Sequence, residues 1–254
     1  KQGNINATHL IAEAGESIQI QSQSGNVALN SAINQTSQSF TSQKKSFATY
    51  NNRQSGYIDQ EVEQTQLVAG KNIDINAGKN IELQANDIQA QDNIYIGNTQ
   101  FERQADGSLK SKDGSTIPEN VSLTTLESND QQWDEKQKGY RGIAKELIKS
   151  VAIGMKGLEG LAPGLKIDEK ITIGESSSTR TEQSKQTGTD LVANNVYVGS
   201  AGKTALTSSN IDAQNTVISG QKVTLNAAEE KKKTVMSNSK ETVEGLGVKL
   251  NKDS

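Results

Sequence analysis

The sequence predicts an all-β fold: a parallel β-helical solenoid with long β-hairpin excursions and one inserted amphipathic α-helix. Three observations predict it. Short stretches alternate apolar and polar residues, a tandem repeat recurs every few residues, and the hydrophobic side chains are few but regularly placed. Only 32% of the 254 residues are hydrophobic and 4% are aromatic, while about 90 are Ser, Thr, Asn or Gln. That composition alone would suit a disordered chain. Aliphatics at every second position beside glycine corners would not.

Residues 1–30 are read as the first coils, with Ala14-Gly15-Glu16-Ser17-Ile18-Gln19-Ile20 as an early copy of the repeat. Residues 31–66, through Ser39-Phe40, Ser46-Phe47 and Gly56-Tyr57-Ile58-Asp59-Gln60-Glu61-Val62, lose that pattern and are expected to form a polar hairpin arm. Residues 67–100 return to the coil. There Ala69-Gly70-Lys71-Asn72-Ile73-Asp74-Ile75-Asn76 is followed at once by Ala77-Gly78-Lys79-Asn80-Ile81-Glu82-Leu83-Gln84. With Ile88-Gln89-Ala90 and Ile94-Tyr95-Ile96, strands are expected to start at residues 67, 73, 81, 88 and 94. Three such strands make a coil of about 20 residues, which suits a solenoid that stacks parallel strands into a triangular prism.

Residues 101–163 are read as an insertion of a β-hairpin plus a helix. Asp106-Gly107-Ser108 and Asp113-Gly114-Ser115 supply the turns. From Asp134 to Ala162, residues Ile143, Ala144, Leu147, Ile148, Val151, Ala152, Met155 and Leu158 fall at helical spacing until Pro163-Gly164 ends the run. Residues 164–189, with Ile167 and Ile171-Thr172-Ile173 ahead of a Ser/Thr/Gln run, are expected to be a second polar hairpin arm. Residues 190–228 repeat the coil block through Leu191-Val192-Ala193, Val196-Tyr197-Val198, Asn210-Ile211-Asp212-Ala213, Val217-Ile218-Ser219 and Val223-Thr224-Leu225. Residues 229–254 begin a third arm that is cut short. Outward Asn, Gln, Ser and Thr are expected to hydrogen-bond in ladders along the stack. Four or five coils at a spacing of about 4.8 Å make roughly 20 to 25 Å of shaft, so most of the chain goes into side arms.

Composition excludes several functions. Without cysteine there is no disulfide framework, thiolate metal site or cysteine nucleophile. The single histidine, His9, leaves no His-cluster site and is read as a strand end. A net charge of -3 speaks against nucleic acid as a partner, because such binding needs a dense cationic face. There is no run of 18 apolar residues and no leader pattern, and the chain is read as an excerpt of something longer.

The acids of the coil, Asp74, Glu82, Asp87 and Asp92, are scattered over outward or corner positions, and neither coil block contains arginine, so no catalytic residue is assigned. A calcium loop starting at Asp92 fails because Ile94 and Ile96 stand where oxygen ligands are needed. Gly154, Gly157 and Gly160 lack the strand and the Gly-Lys-Ser/Thr of a phosphate cradle. No cofactor and no metal are expected. Two surface candidates remain. The helix face of Ile143, Leu147, Ile148, Val151 and Met155, with Lys145, Lys149 and Lys156 opposite, is expected to pack on the β-helix, or else to meet a membrane or a partner. Lys44-Lys45 and Lys231-Lys232-Lys233 are candidate contacts for polyanionic glycans or lipopolysaccharide phosphates, or else solvated ends of arms.

The segment from Leu191 to Ala227, followed by Glu229-Glu230-Lys231-Lys232-Lys233, resembles the haemagglutinin repeat of filamentous-haemagglutinin-like exoproteins. Val198-Gly199-Ser200, Asn210-Ile211-Asp212-Ala213 and Val223-Thr224-Leu225-Asn226-Ala227-Ala228 carry the likeness. It covers residues 1–30, 67–100 and 186–250 and is weak over 101–165. The resemblance implies a right-handed β-helix within a long secreted bacterial surface protein, exported through an outer-membrane two-partner secretion transporter. It implies a shaft and contact surface in adhesion, to a target bacterium or a host cell, or in contact-dependent delivery of a toxin. Nothing here matches that family's export signal, and no toxin is carried over. A carbohydrate-active β-helix enzyme and a host-cell adhesin without a toxin role are the alternatives.

Overall fold

The computed structural model describes residues 3–106, 109–112, 114–156 and 169–245. The chain divides into two compact units: Lys1–Gln35 with Gln60–Asn129 and Ser184–Lys231, and Thr36–Asp59 with Asp130–Gln183 and Lys232–Ser254. The first strands are β1 (Ile5–Thr8), β2 (Ile11–Ala14), β3 (Ser17–Ser22) and β4 (Val27–Asn30), followed by the long β5 (Ala32–Lys45) and β6 (Thr49–Glu63). Next come β7 (Thr65–Ala69), β8 (Asn72–Ala77), β9 (Asn80–Gln84), β10 (Asn86–Ala90) and β11 (Asn93–Gly97). A small pair, β12 (Phe101–Arg103) and β13 (Leu109–Ser111), precedes β14 (Asn120–Thr124) and the long β15 (Leu126–Tyr140). The helix α1 (Gly142–Lys156) and β16 (Glu169–Thr187) lead to β17 (Asp190–Gly199), β18 (Lys203–Thr207), β19 (Asn210–Ser219), β20 (Lys222–Asn226) and β21 (Lys231–Gly245). Among the described residues the fold is all-β with one helix.

In the first unit, β1, β4, β9, β14, β18 and β20 form one parallel ladder. A second runs β2, β7, β10 and the first half of β17, and a third runs β3, β8, β11 and the second half of β17. β17 bridges two ladders because Asp190–Val192 pairs with β10 while Asn195–Gly199 pairs with β11. β19 pairs with it along both halves.

Period-two alternation sets the register, since a slip of one residue would turn every aliphatic outward. On the first ladder Ile5, Val27, Ile81 and Val121 stand in one inward column, and Ala7, Leu29, Leu83, Leu123, Leu206 and Leu225 in another. On the second ladder the column is Ala12, Leu67, Ile88, Leu191 and Ile211, and on the third it is Ile20, Ile75, Ile96, Val198 and Ile218. Apart from Leu225 on the last rung, which is 66% exposed, these columns belong to a single core cluster and the partly buried residues packed against it.

The polar residues are placed as deliberately. Asn93 donates to Asn72, Asn195 to Asn93 and Asn215 to Asn195, at 2.7, 2.9 and 2.8 Å. A second stack runs from Asn26 through Asn80 to Asn120. The turn from the first ladder to the second takes two forms. It is a single left-handed residue at His9, Ala85 and Ser208, with φ of 51°, 54° and 45°. Elsewhere the chain departs there, after β4 and after β14, and returns at the fully buried Thr65 and Thr189. The Thr65 hydroxyl donates to the Asn30 carbonyl, and the Thr189 hydroxyl accepts from the Asn86 N–H.

The second unit is a five-stranded sheet in the order β21-β16-β15-β6-β5. β15 runs antiparallel to β6, and two glycines accept aromatic neighbours across that pair. Trp133 lies opposite Gly56, and Tyr50 opposite Gly139. A Cβ on Gly56 would collide with the Trp133 indole.

Several expectations change here. The helix begins at Gly142, not Asp134, because residues 134–140 pair with 49–55, held by Arg53 on the Asp134 carboxylate at 2.9 and 3.1 Å. The expected hairpin over 164–189 supplies one strand, β16, whose neighbours are β15 and β21. Residues 120–124 of the expected insertion form a strand of the first ladder, because Val121 and Leu123 carry the same inward pattern as Ile81 and Leu83. Within the insertion, β12 and β13 do form an antiparallel pair, while Gly107, Ser108, Asp113, Leu158, Pro163, Gly164 and Ile167 lie outside the described residues.

Replacing the fully buried Ile81 by Ala should lower stability by about 2–5 kcal/mol in urea unfolding, while Glu82→Ala on the outward side of the same strand stays within about 0.5 kcal/mol. Gly56→Val should displace the indole of Trp133, the only tryptophan, and red-shift its fluorescence in the folded protein.

Candidate contact surfaces

The helix α1 belongs to the second unit. Lys145 and Lys149, expected on the free side, are anchored, while the side chain of Lys156 falls outside the described residues. Lys145 and Lys149, one turn apart, both reach Glu241 of β21, at 2.7 and 3.7 Å. The hydrogen bond from Lys145 is the main cause that holds the Glu241 carboxyl below its ordinary value, and the same bond raises Lys145. Ile143 and Leu147 are left 72% and 61% exposed. Ile148 is half-buried. The burial expected of the apolar stripe is therefore not found at Ile143 and Leu147. Val151 and Met155 lie within α1, and their side chains fall outside the described residues.

The two lysine groups do not converge. Lys44 and Lys45 end β5, while Lys231, Lys232 and Lys233 begin β21, and these two strands are the opposite edges of the five-stranded sheet. All five are exposed. The coil acids are equally dispersed: Asp74 stands on the third ladder, Glu82 on the first and Asp87 on the second. Among the described residues no three His, Cys, Asp or Glu side chains could hold a metal ion together. No helix among them is long and apolar enough to cross a membrane. His9 caps the end of β1, its N–H bonded to the Asn30 carbonyl and its ring near Glu63.

A cluster that sequence reasoning passed over lies on the outward side of the third ladder. Gln19, Asp74, Tyr95, Tyr197 and Val217 stand in register there. The rings of Tyr95 and Tyr197 stack with centroids 5.1 Å apart and planes 9° from parallel. Burial, with smaller contributions from Tyr197 and Asp74, raises the Tyr95 phenol above its ordinary value. Beside the rings is a groove of about 210 Å³, walled by Asp74, Asn76, Asn98, Thr99, Gln100 and Ser115. Gly97, at φ 74°, ends β11 and turns the chain into that wall.

The asparagines fix the wall from behind. Asn98 donates to the hydroxyls of Ser111 and Ser115 at 2.9 and 2.7 Å and accepts from the Gln100 N–H at 2.6 Å. Asn76 donates to the Thr116 carbonyl at 3.1 Å and accepts from the Ala77 N–H at 2.8 Å. The available sequence signal was an aromatic at the outward position of two coil strands, in a chain with 5 tyrosines, 3 phenylalanines and 1 tryptophan.

Compared with known proteins, the chain matches no family model, no curated protein and no solved structure.

The Glu241 clamp carries a pH signature. Its carboxyl is lowered on folding, so the tether is present above the ordinary glutamate value of 4.5 and is lost as pH falls through the lower folded value. Amide exchange of α1 should therefore stay constant from neutral pH down to about 5 once corrected for intrinsic rates, then accelerate in more acid solution. In Glu241→Gln the fast exchange should already be present at neutral pH.

Proposed function

We propose that the first unit is a right-handed parallel β-helix and that the chain is a non-enzymatic haemagglutinin-repeat segment of a large secreted bacterial surface exoprotein. On this reading it is of the filamentous-haemagglutinin-like, two-partner secretion kind. The observation that carries the reading is the return of the chain to the same parallel ladder after one short circuit wherever no detour intervenes. Gln66 pairs with Asp87 and Asn72 with Asn93, each 21 residues on. Such circuits stack without long-range closure, so each can dock on the one before it as the chain emerges from a transporter. Parallel strands joined by a crossover take the right-handed path in about 98% of cases, which supports the hand. The absence of cysteine suits a chain threaded unfolded through an outer-membrane pore.

In this role the ladder is a shaft and the outward side chains, with the five-stranded sheet, are the surface that meets a target bacterium or a host cell. Adhesion and contact-dependent toxin delivery both use such a surface, and the payload is a separate matter. The helix face at Ile143 and Leu147 is part of the surface on offer. The tethering of Lys145 and Lys149 favours a protein or glycan neighbour over anionic lipid, because these two cations already face Glu241.

The reading is tested by displaying the intact chain on bacteria that do not aggregate and counting their association with neighbouring bacteria and with epithelial cells. Saturable association, competed by the purified chain, is expected. Display that leaves association with both at the level of the empty carrier overturns the contact role. Aligned crystals or films should also give a meridional reflection near 4.8 Å, the rung spacing.

A further inference from the structure

We infer that the groove beside Tyr95 is a binding site for a single neutral sugar ring, stacked on the Tyr95 face and hydrogen-bonded by Asp74. The inference needs only the third ladder and the loop beside it. It is therefore separate from the export and contact reading above, and either can fail without the other.

The platform follows from the order of the column. One face of Tyr95 is covered by Tyr197, while the next rung on the other side carries Asp74, whose side chain is too short to cover a phenol ring. A flat apolar face is thus left beside a carboxylate one rung away, about 4.8 Å along the stack. A sugar ring has the matching chemistry: an apolar C–H face for the aromatic ring and adjacent hydroxyls that donate in pairs to a carboxylate. Among the described residues the remaining walls are uncharged donors and acceptors, Thr99, Gln100 and Ser115.

Size and preorganisation point the same way. At about 210 Å³ the groove is below the roughly 300 Å³ at which pockets for drug-sized ligands begin, and it suits one ring. Asn98 and Asn76, 4% and 3% exposed, spend their hydrogen bonds on the loop itself, so the wall is fixed before anything enters. A quaternary ammonium ion would also be drawn to a tyrosine face near a carboxylate. Such ions are held by rings that enclose them on several sides, whereas these two rings lie on each other and offer a single flat face.

The test uses the intact chain and a panel of neutral tetrasaccharides built from glucose, galactose, mannose and N-acetylglucosamine, followed by titration calorimetry. At least one should bind at millimolar concentration or better. Tyr95→Leu and Asp74→Asn should each weaken it by about tenfold or more, while Tyr95→Phe, which keeps the platform, stays within about threefold of the parent. Circular dichroism melts show whether each variant is folded; should Tyr95→Leu fail to fold, Asp74→Asn and Tyr95→Phe still decide. Absence of binding by the whole panel overturns the site. So does sugar binding indifferent to Asp74→Asn, or binding of tetramethylammonium in place of every sugar.

Discussion

A parallel stack in which each inward side chain must sit on a counterpart from the rungs on either side leaves little freedom of choice. Where Val27 lies under Ile81 and Ile81 under Val121, volume and shape are fixed from both sides at once. The core cluster is wholly Ile, Leu, Val and Ala, so the chain folds with few aromatic rings. The same stacking acts on polar groups. An asparagine that bonds its own image in the next rung satisfies a donor and an acceptor without any partner of another kind, so Asn72, Asn93, Asn195 and Asn215 repeat for the reason that the aliphatics do. Composition, core and surface order are consequences of that one stacking requirement.

This explains how far the fold could be read from the amino acids. Alternation over Ile73-Asp74-Ile75 and Ile81-Glu82-Leu83 placed β8 and β9, because a period of two is a local property and needs no knowledge of partners. What alternation cannot reveal is which strand pairs with which. The segment 164–189 looked self-paired, yet β16 finds its neighbours in β15 and β21. The helix was legible from Ile143 onward, where spacing declares it. Its supposed earlier start at Asp134 ignored Arg53, a partner 81 residues away in sequence.

The surfaces were less legible than the core. Ile143 and Leu147 were correctly placed on one face, but the meeting of Lys145 with Glu241, about a hundred residues further on, leaves no local signal. Lysine pairs and triplets read as patches in one dimension and proved to sit on opposite sheet edges. Tyr95 and Tyr197 looked like two unrelated outward residues until β11 and β17 became neighbours. Charge and aromaticity are local, but a binding surface is made by proximity, and proximity is what a repeat with long insertions conceals.

The turn between the first two ladders obeys a parity. His9, Ala85 and Ser208 make it tight, and between them, after β4 and after β14, the chain leaves on a long detour. Tight and open turns therefore alternate, so successive detours depart two rungs apart, about 9.6 Å, which is also the width of a two-stranded ribbon. The period of this architecture is thus a pair of rungs with one detour. Duplication or loss of a pair of rungs keeps that alternation in phase, whereas adding or removing a single rung puts two turns of the same kind next to each other.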